Sequence, residues 1–439
     1  MEVLHILSLI ILILIIFSIG FPVFLNSNKN FSLDNSNFCN QIILNIVLHF
    51  NFILFLTFFN IPISLITKIF ILYLLSIFFL MTYKGVFLLM RDKYYYLSAF
   101  IILFVLSIDV AHSLTQDWDS QIVWFYKTLN FYNDGNISDL VKLPPGDGYS
   151  YPYLGSLVWA FFWNISFINE EYSGRIIYIF LYIIALYCLS EKLKTNFTNK
   201  IIFLLFLILI SYDYIFFSGS QDILIFCFIA FSAFYIHEIF LKKKKKLEQI
   251  QLILLPLIFN CLIWTKNEGA VYSFILLFIL TFFSKLRLNQ KIILIFLTIF
   301  LLSLKILIYK FFGLDLAINS TVYENISLIS IFSNIFSYKT FIFIEYFFFF
   351  GFLKNFLFIV GVISLIIHFQ LKGIDKNMLY IYLFYLISFS FLLVAHTSIV
   401  NSLDLEYMLK VNMKRLVFAI SPFFILLIIE NLNQIKKRY

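Results

Sequence analysis

From one end to the other, the chain keeps returning to apolar runs long enough to cross a membrane, and few folds can accommodate that. Leu4 to Leu25, Ile42 to Phe59, Ile63 to Tyr83, Leu97 to Ala111, Ile176 to Leu189, Ile201 to Phe217, Ile223 to Leu241, Leu252 to Trp264, Ala270 to Phe283, Ile292 to Phe312, a stretch within Phe341 to Phe369, Leu379 to Ala395 and Leu416 to Ile429 are all dominated by aliphatic and aromatic side chains. A hydrocarbon core of ~30 Å takes about 20 helical residues, and only helices or closed barrels satisfy their backbone there. Long unbroken runs without alternation predict helices, so we expect an all-α polytopic integral membrane protein of about 13 transmembrane helices.

Composition agrees. Only 13% of residues are charged and 62% are hydrophobic, whereas soluble domains carry about 25% charge. The 59 phenylalanines and 27 tyrosines accompany many Ile, Asn and Lys residues, the usage of an AT-rich genome rather than the mark of a binding surface. The net charge of +8 does not indicate nucleic acid, because the basic residues cluster beside the runs, as in cytoplasmic loops. These clusters are Lys84, Arg91 and Lys93; Lys192, Lys194 and Lys200; Lys242 to Lys246; Lys285, Arg287 and Lys291; Lys372 and Lys376; and Lys436, Lys437 and Arg438. They fall on one side if the N-terminus is outside and the C-terminus inside. The first run reads as a span rather than a signal peptide, since Glu2 stands where a basic start belongs. Cys39, Cys188, Cys227 and Cys261 show no metal or disulfide spacing.

The longest polar interruption, residues 109 to 175, gathers Asp117, Asp119, Asp134, Asp139 and Asp147. The positive-inside rule puts residues 112 to 172 outside. Were the aromatic helix 155 to 167 a span, Lys192, Lys194 and Lys200 would fall outside, so it is expected to lie in the outer interface.

This order of pieces resembles the GT-C glycosyltransferases that take a sugar from a polyprenyl-phosphate carrier, including protein O-mannosyltransferases and aminoarabinose transferases. The resemblance lies in Trp118-Asp119-Ser120 at a W-D-E type position, the helix Gln121 to Tyr132, Tyr151-Pro152-Tyr153-Leu154 at a Y-P variant, the helix Gly155 to Phe167, and Gly174-Arg175 opening the next span. It implies N-terminal hairpins over 1–96, a catalytic membrane module over 97–312 with its outer loop 112–172, and C-terminal helices and loops over 313–439. It also implies a polyprenyl-phosphate-linked sugar donor, a glycan, lipid or protein acceptor, and contact with membrane lipids, with no nucleic acid.

Such a transfer needs a carboxylate to take a proton and cations to meet the departing phosphate. Asp119 matches the family's acidic position, with Asp117 as its nearest competitor and a plain helix N-cap as the alternative. Trp124 and Lys127, three apart, share a helix face; Lys127 suits either a phosphate or the headgroups. The resemblance places Tyr151 and Arg175 at the substrate, and Asp222 in Ser218-Gly219-Ser220-Gln221-Asp222 at another acidic position. Lys266 and Glu268, in the polar turn Trp264 to Gly269, resemble its L-T-K-G-P type turn. Arg415, with Lys410 and Lys414, lies on the outer side against the charge trend, and its fork suits a carrier phosphate. Asp109 and His112, also three apart, pair with each other or hold a divalent cation, the one candidate cofactor. Sequons at Asn136, Asn319 and Asn325 fall outside, but a bacterial plasma membrane is the expected location. The rival function is a transporter or flippase of a lipid-linked or small polar substrate, which would need polar groups at mid-membrane in broken helices.

Overall fold

The computed structural model describes residues 2–20, 35–83, 93–112, 116, 119–143, 151–166, 169–314, 333–373, 375–399 and 402–438. Helix α1 (Glu2–Ser18) is followed by α2 (Asn35–Thr57). The last turn of α1 leaves carbonyls with no intrahelical donor, and polar side chains of α2 meet them. Asn45 donates to Phe17 O at 2.8 Å and His49 Nε2 lies 2.9 Å from Ile19 O. After Asn60 in the left-handed region (φ 56°) come α3 (Ile63–Tyr83) and α4 (Lys93–His112).

A π-helical turn, Ser120–Trp124, then runs without a break into α5 (Phe125–Tyr132). A short 3-10 segment, Ile137–Lys142, is started by an Asn136/Asp139 capping box. Next come α6 (Leu154–Ile165), α7 (Tyr172–Ser190), α8 (Phe197–Ser211), a 3-10 turn Tyr214–Phe217, α9 (Asp222–Leu241), α10 (Gln249–Thr265), α11 (Asn267–Phe283) and α12 (Leu288–Phe311). The C-terminal part holds α13 (Tyr338–Tyr346), continued as a π-helix to Phe352, then α14 (Phe356–Lys372), α15 (Leu379–Thr397), α16 (Ser402–Ile420) and α17 (Pro422–Arg438).

Helices α7 and α9 form the centre, buried over 100% and 94% of their most apolar windows. They pack on each other and are wrapped by α4, α6, α10, α16 and α17. By contrast α3, α12 and α15 are buried over only 33%, 22% and 33% and present Leu72, Phe79, Phe296, Leu307 and Leu386 outward. An apolar exterior around a packed interior is what lipid as solvent asks for.

Among the described residues six helices are long and apolar enough to cross a membrane, or eight if each of two bent pairs is one span. The described residues are thus helical, with several helices fit to span a membrane, and they hold fewer full-length spans than the 13 apolar runs predict. Several runs become helices too short for the task. Helix α8 stops at Ser211 because Asp213 caps the 3-10 turn that follows, its side chain accepting from Ile215 N at 3.1 Å; fifteen residues rise only ~22 Å. Helix α1, α10 and α11 have 17 residues each. The run near Phe341 to Phe369 is bent by 102° at a break before Asn355 caps α14. The final run is not a helix of its own. Helix α16 begins at Ser402 and meets α17 at a 46° bend where Pro422 starts a new helix. Tyr385 spans that bend, its hydroxyl donating to Ser421 O at 3.2 Å and accepting from Phe424 N at 2.9 Å.

One connection is tighter than the rest. Lys266, extended at φ −151°, ψ 162°, is the single residue between α10 and α11. The helices fold back on each other as a hairpin, with Ser273 Oγ donating to Phe259 O at 3.2 Å. Gly269 permits this approach, since a Cβ there would lie 2.1 Å from Leu262 O. Lys266 therefore stands at the hairpin tip.

Candidate active site

The start of the π-helix, the start of α9, the α10–α11 tip and the middle of α16 converge. Arg415 Nη2 donates to Asp119 Oδ2 at 2.5 Å, and its Nε lies 3.8 Å from Asp222 Oδ2. Asp222 Oδ1 accepts from Lys266 Nζ at 3.0 Å, and Lys266 Nζ is 3.9 Å from Glu268 Oε1. Five side chains thus alternate in sign as Asp119, Arg415, Asp222, Lys266, Glu268, three carboxylates against two cations. Asp222, Lys266 and Arg415 are all buried. Buried charges are tolerable only when paired this closely. Burial alone would lower the Lys266 ammonium, but Asp222 and Glu268 beside it raise its pKa above the ordinary lysine value.

Local packing explains the convergence. Phe418, one helical turn beyond Arg415, stacks on Phe216 at 3.8 Å and on Phe226 at 4.5 Å, which fixes the rotation of α16 against α9. Ser220 Oγ donates to Asp222 Oδ2 at 2.7 Å. The turn ahead of it is held against the Asp119 segment by Gly219. Its φ is +96°, and a Cβ there would lie 2.7 Å from Trp159 Cη2 and 2.8 Å from Ser120 Oγ. Asp119 stands at the N-cap position of the π-helical turn but does not act as a side-chain cap. It has helical φ −59°, ψ −35° and makes no capping hydrogen bond; its side chain is spent on Arg415. The carboxylate keeps 24% of its surface.

A second group lies along the same helical run. Lys127, wholly buried, donates to Tyr151 O, which also accepts from Tyr309 Oη at 3.2 Å. Lys127 Nζ is 5.7 Å from the Trp124 ring, which sits edge-on to Tyr151 at 5.7 Å. Lys305 of α12 reaches in from the other side, 5% exposed, donating to Ile263 O at 3.0 Å. Burial, and then the charge of Lys305, hold the Lys127 ammonium well below its ordinary pKa.

Of the residues singled out in the sequence, Asp119, Asp222, Lys266, Glu268 and Arg415 are brought together, and Trp124, Lys127 and Tyr151 form a neighbouring group. Arg175 joins neither. Its guanidinium grips Glu171 through Nε (2.7 Å) and Nη2 (3.0 Å) and reaches Phe217 O at 3.4 Å, bracing α7 against the turn before α9. Asp117, Trp118 and Asp147, and the sequons at Asn319 and Asn325, lie outside the described residues. Asp109 does not pair with His112 but accepts from Tyr212 Oη. Asp134 accepts from Ser64 N at 3.0 Å. Asp139 caps Asn136 N and binds Lys142 at 2.6 Å, contacts that lower its pKa, Lys142 first.

Helix α6 is buried from Leu154 to Trp163, packed against α5, α7 and α3, rather than presenting one exposed face. Sequence reasoning passed over Lys305, although a lysine inside an apolar run is costly and worth notice. It also passed over the Asp213 pairing with Lys414. Among the described residues no group of three or more His, Cys, Asp and Glu is placed to hold a metal ion. The chain matches no family model, no curated protein and no solved structure, so its function has to be inferred from its own residues.

Proposed function

We propose that this chain is a GT-C type membrane glycosyltransferase that moves a sugar from a polyprenyl-phosphate carrier to a glycan, lipid or protein acceptor at the outer face, with inversion. The observation that supports it is Asp119, a partly exposed carboxylate with Oδ2 anchored by Arg415 and Oδ1 without a partner among the described residues. That is the form of a positioned general base. Asp119 Oδ1 takes the acceptor's proton while the acceptor oxygen or nitrogen attacks the anomeric carbon. The bond from that carbon to the carrier phosphate breaks on the opposite face, and its electron pair leaves with the phosphate. A single displacement of this kind inverts the centre.

Arg415 and Lys266 already have carboxylate partners, so Arg415 suits holding Asp119 better than receiving the phosphate. The plasma membrane of a bacterium is the setting we favour. A transporter or flippase is the second reading, favoured by one observation: the five-group ionic chain carries one excess negative charge and could couple to a proton or cation. Purified protein in liposomes separates the two. Release of polyprenyl phosphate from a polyprenyl-phosphate sugar in the presence of acceptor supports the transferase, whereas solute movement without bond cleavage supports the transporter.

A further inference from the structure

The ionic chain leaves no cation uncompensated, yet the leaving group of the proposed reaction is an anion. The neighbouring group has the opposite imbalance. Lys127 and Lys305 are both buried, and neither has a carboxylate within ion-pair distance among the described residues; their acceptors are two backbone carbonyls, Tyr151 O and Ile263 O. An ammonium has three N–H donors, so each lysine has two with no acceptor among the described residues. Trp264, fully buried and 5.8 Å from the Tyr309 ring, adds an indole N–H with no acceptor among the described residues. A buried donor without an acceptor costs about 1–3 kcal/mol, and a buried ammonium without a counter-charge costs more. Two amines and an indole N–H, walled by Trp124, Tyr151 and Tyr309, make a region rich in donors and poor in acceptors. Its complement is a compact anion with several acceptor oxygens.

We infer that Lys127, Lys305 and Trp264 form a subsite for a phosphate group, which in the proposed reaction is the phosphate of the carrier lipid. The inference rests on the glycosyl-transfer reading for its ligand's identity, but the donor excess stands without it. The placement is consistent. Asp119 and Lys127 lie on one helical run, eight residues or about 12 Å apart along its axis, and Trp264 is two residues from Lys266 at the hairpin tip. The two groups therefore flank the same end of the bundle, base on one side and anion subsite on the other.

The test is equilibrium binding to the purified full-length protein in neutral detergent, read as a shift in unfolding temperature. Farnesyl phosphate, inorganic phosphate and farnesol are the probes. Farnesyl phosphate is expected to stabilise the wild type and farnesol not. Stabilisation by inorganic phosphate as well identifies a site that reads the anion itself, and stabilisation by farnesyl phosphate alone identifies one that reads the lipid-linked form; either supports the subsite. Lys127→Met and Lys305→Met keep the side-chain length and remove the charge. Each should fold at least as stably without ligand and bind farnesyl phosphate at least tenfold more weakly. If both bind like wild type, the subsite is wrong and the glycosyl-transfer reading stands. If the wild type binds neither phosphate, the subsite falls and the carrier reading with it.

Discussion

Asp119 and Arg415, 296 residues apart in the chain, meet at 2.5 Å. This contact joins the first long polar segment to the penultimate helix. Arg415 also faces Asp222, and Asp222 faces Lys266 at the α10–α11 tip. The Asp119 carboxylate is thereby held by elements from three distant parts of the chain, which is how a side chain is kept in one orientation.

The ionic chain should behave as a unit. Asp222→Asn removes the carboxylate between Lys266 and Arg415 and leaves buried cations short of a partner, at a cost of about 3–5 kcal/mol. Lys266→Met alone should also destabilise. The double variant should be more stable than the sum of the two losses implies, by about 0.5–3 kcal/mol of coupling. Unfolding of the four proteins in detergent measures it, and strict additivity would break the pair.

At the hairpin, Gly269→Ala sets two effects against each other. Alanine favours a helix by about 1 kcal/mol over glycine. The new Cβ would lie 2.1 Å from Leu262 O and 2.8 Å from its carbon, backbone atoms that cannot turn aside. Overpacking of that kind costs about 1–3 kcal/mol, so the clash wins and the unfolding temperature should fall. A variant as stable as wild type would mean the helices are less closely apposed.

Lys127 gives a signature in pH. Its folded pKa is held below the ordinary lysine value, so between the two the unfolded chain binds more protons than the folded one. Stability of the ligand-free protein then rises with pH across that window and levels off above it. Lys127→Met lacks this contribution. It should be more stable than wild type near pH 7, with the gap closing toward pH 10.5. A gap independent of pH would mean Lys127 is not held below its ordinary value.

The fold was legible where apolar runs are uninterrupted, as in α7, α9 and α12. It was less so where a single polar residue ends a helix. Hydropathy counts Ile201 to Phe217 as one span, but Asp213 diverts the backbone into a 3-10 turn. The five clustered residues Asp119, Asp222, Lys266, Glu268 and Arg415 stood out singly: Asp119 and Asp222 through the family resemblance, Lys266 and Glu268 because charge between apolar runs is costly, and Arg415 because it lies against the charge trend. Their pairing was not legible, since nothing local in the sequence links them. Arg175 shows the reverse: its partner Glu171 is four residues away on the same helix face, a spacing open to inspection. Lys305 disappeared into the average of a 24-residue helix.

The charge clusters predict a topology. The four cysteines are buried, so the native protein gives little labelling background. If the acidic segment is outside and the five-lysine run inside, as the positive-inside rule predicts, a cysteine at exposed Glu170 should react with an impermeant maleimide in intact cells. One at exposed Lys246 should react only after permeabilisation. The opposite pattern would invert the protein.

The claim on which the enzyme reading rests is that Asp119 takes the proton. Asn keeps the shape of Asp and loses the acceptor, and a general base contributes 10²- to 10⁴-fold to rate. Transfer from a polyprenyl-phosphate sugar should therefore fall about 100-fold or more in Asp119→Asn, with membrane insertion and phosphate-dependent stabilisation near wild type. Asp117→Asn should cost much less. A transfer rate in Asp119→Asn equal to that of the wild type would contradict the account.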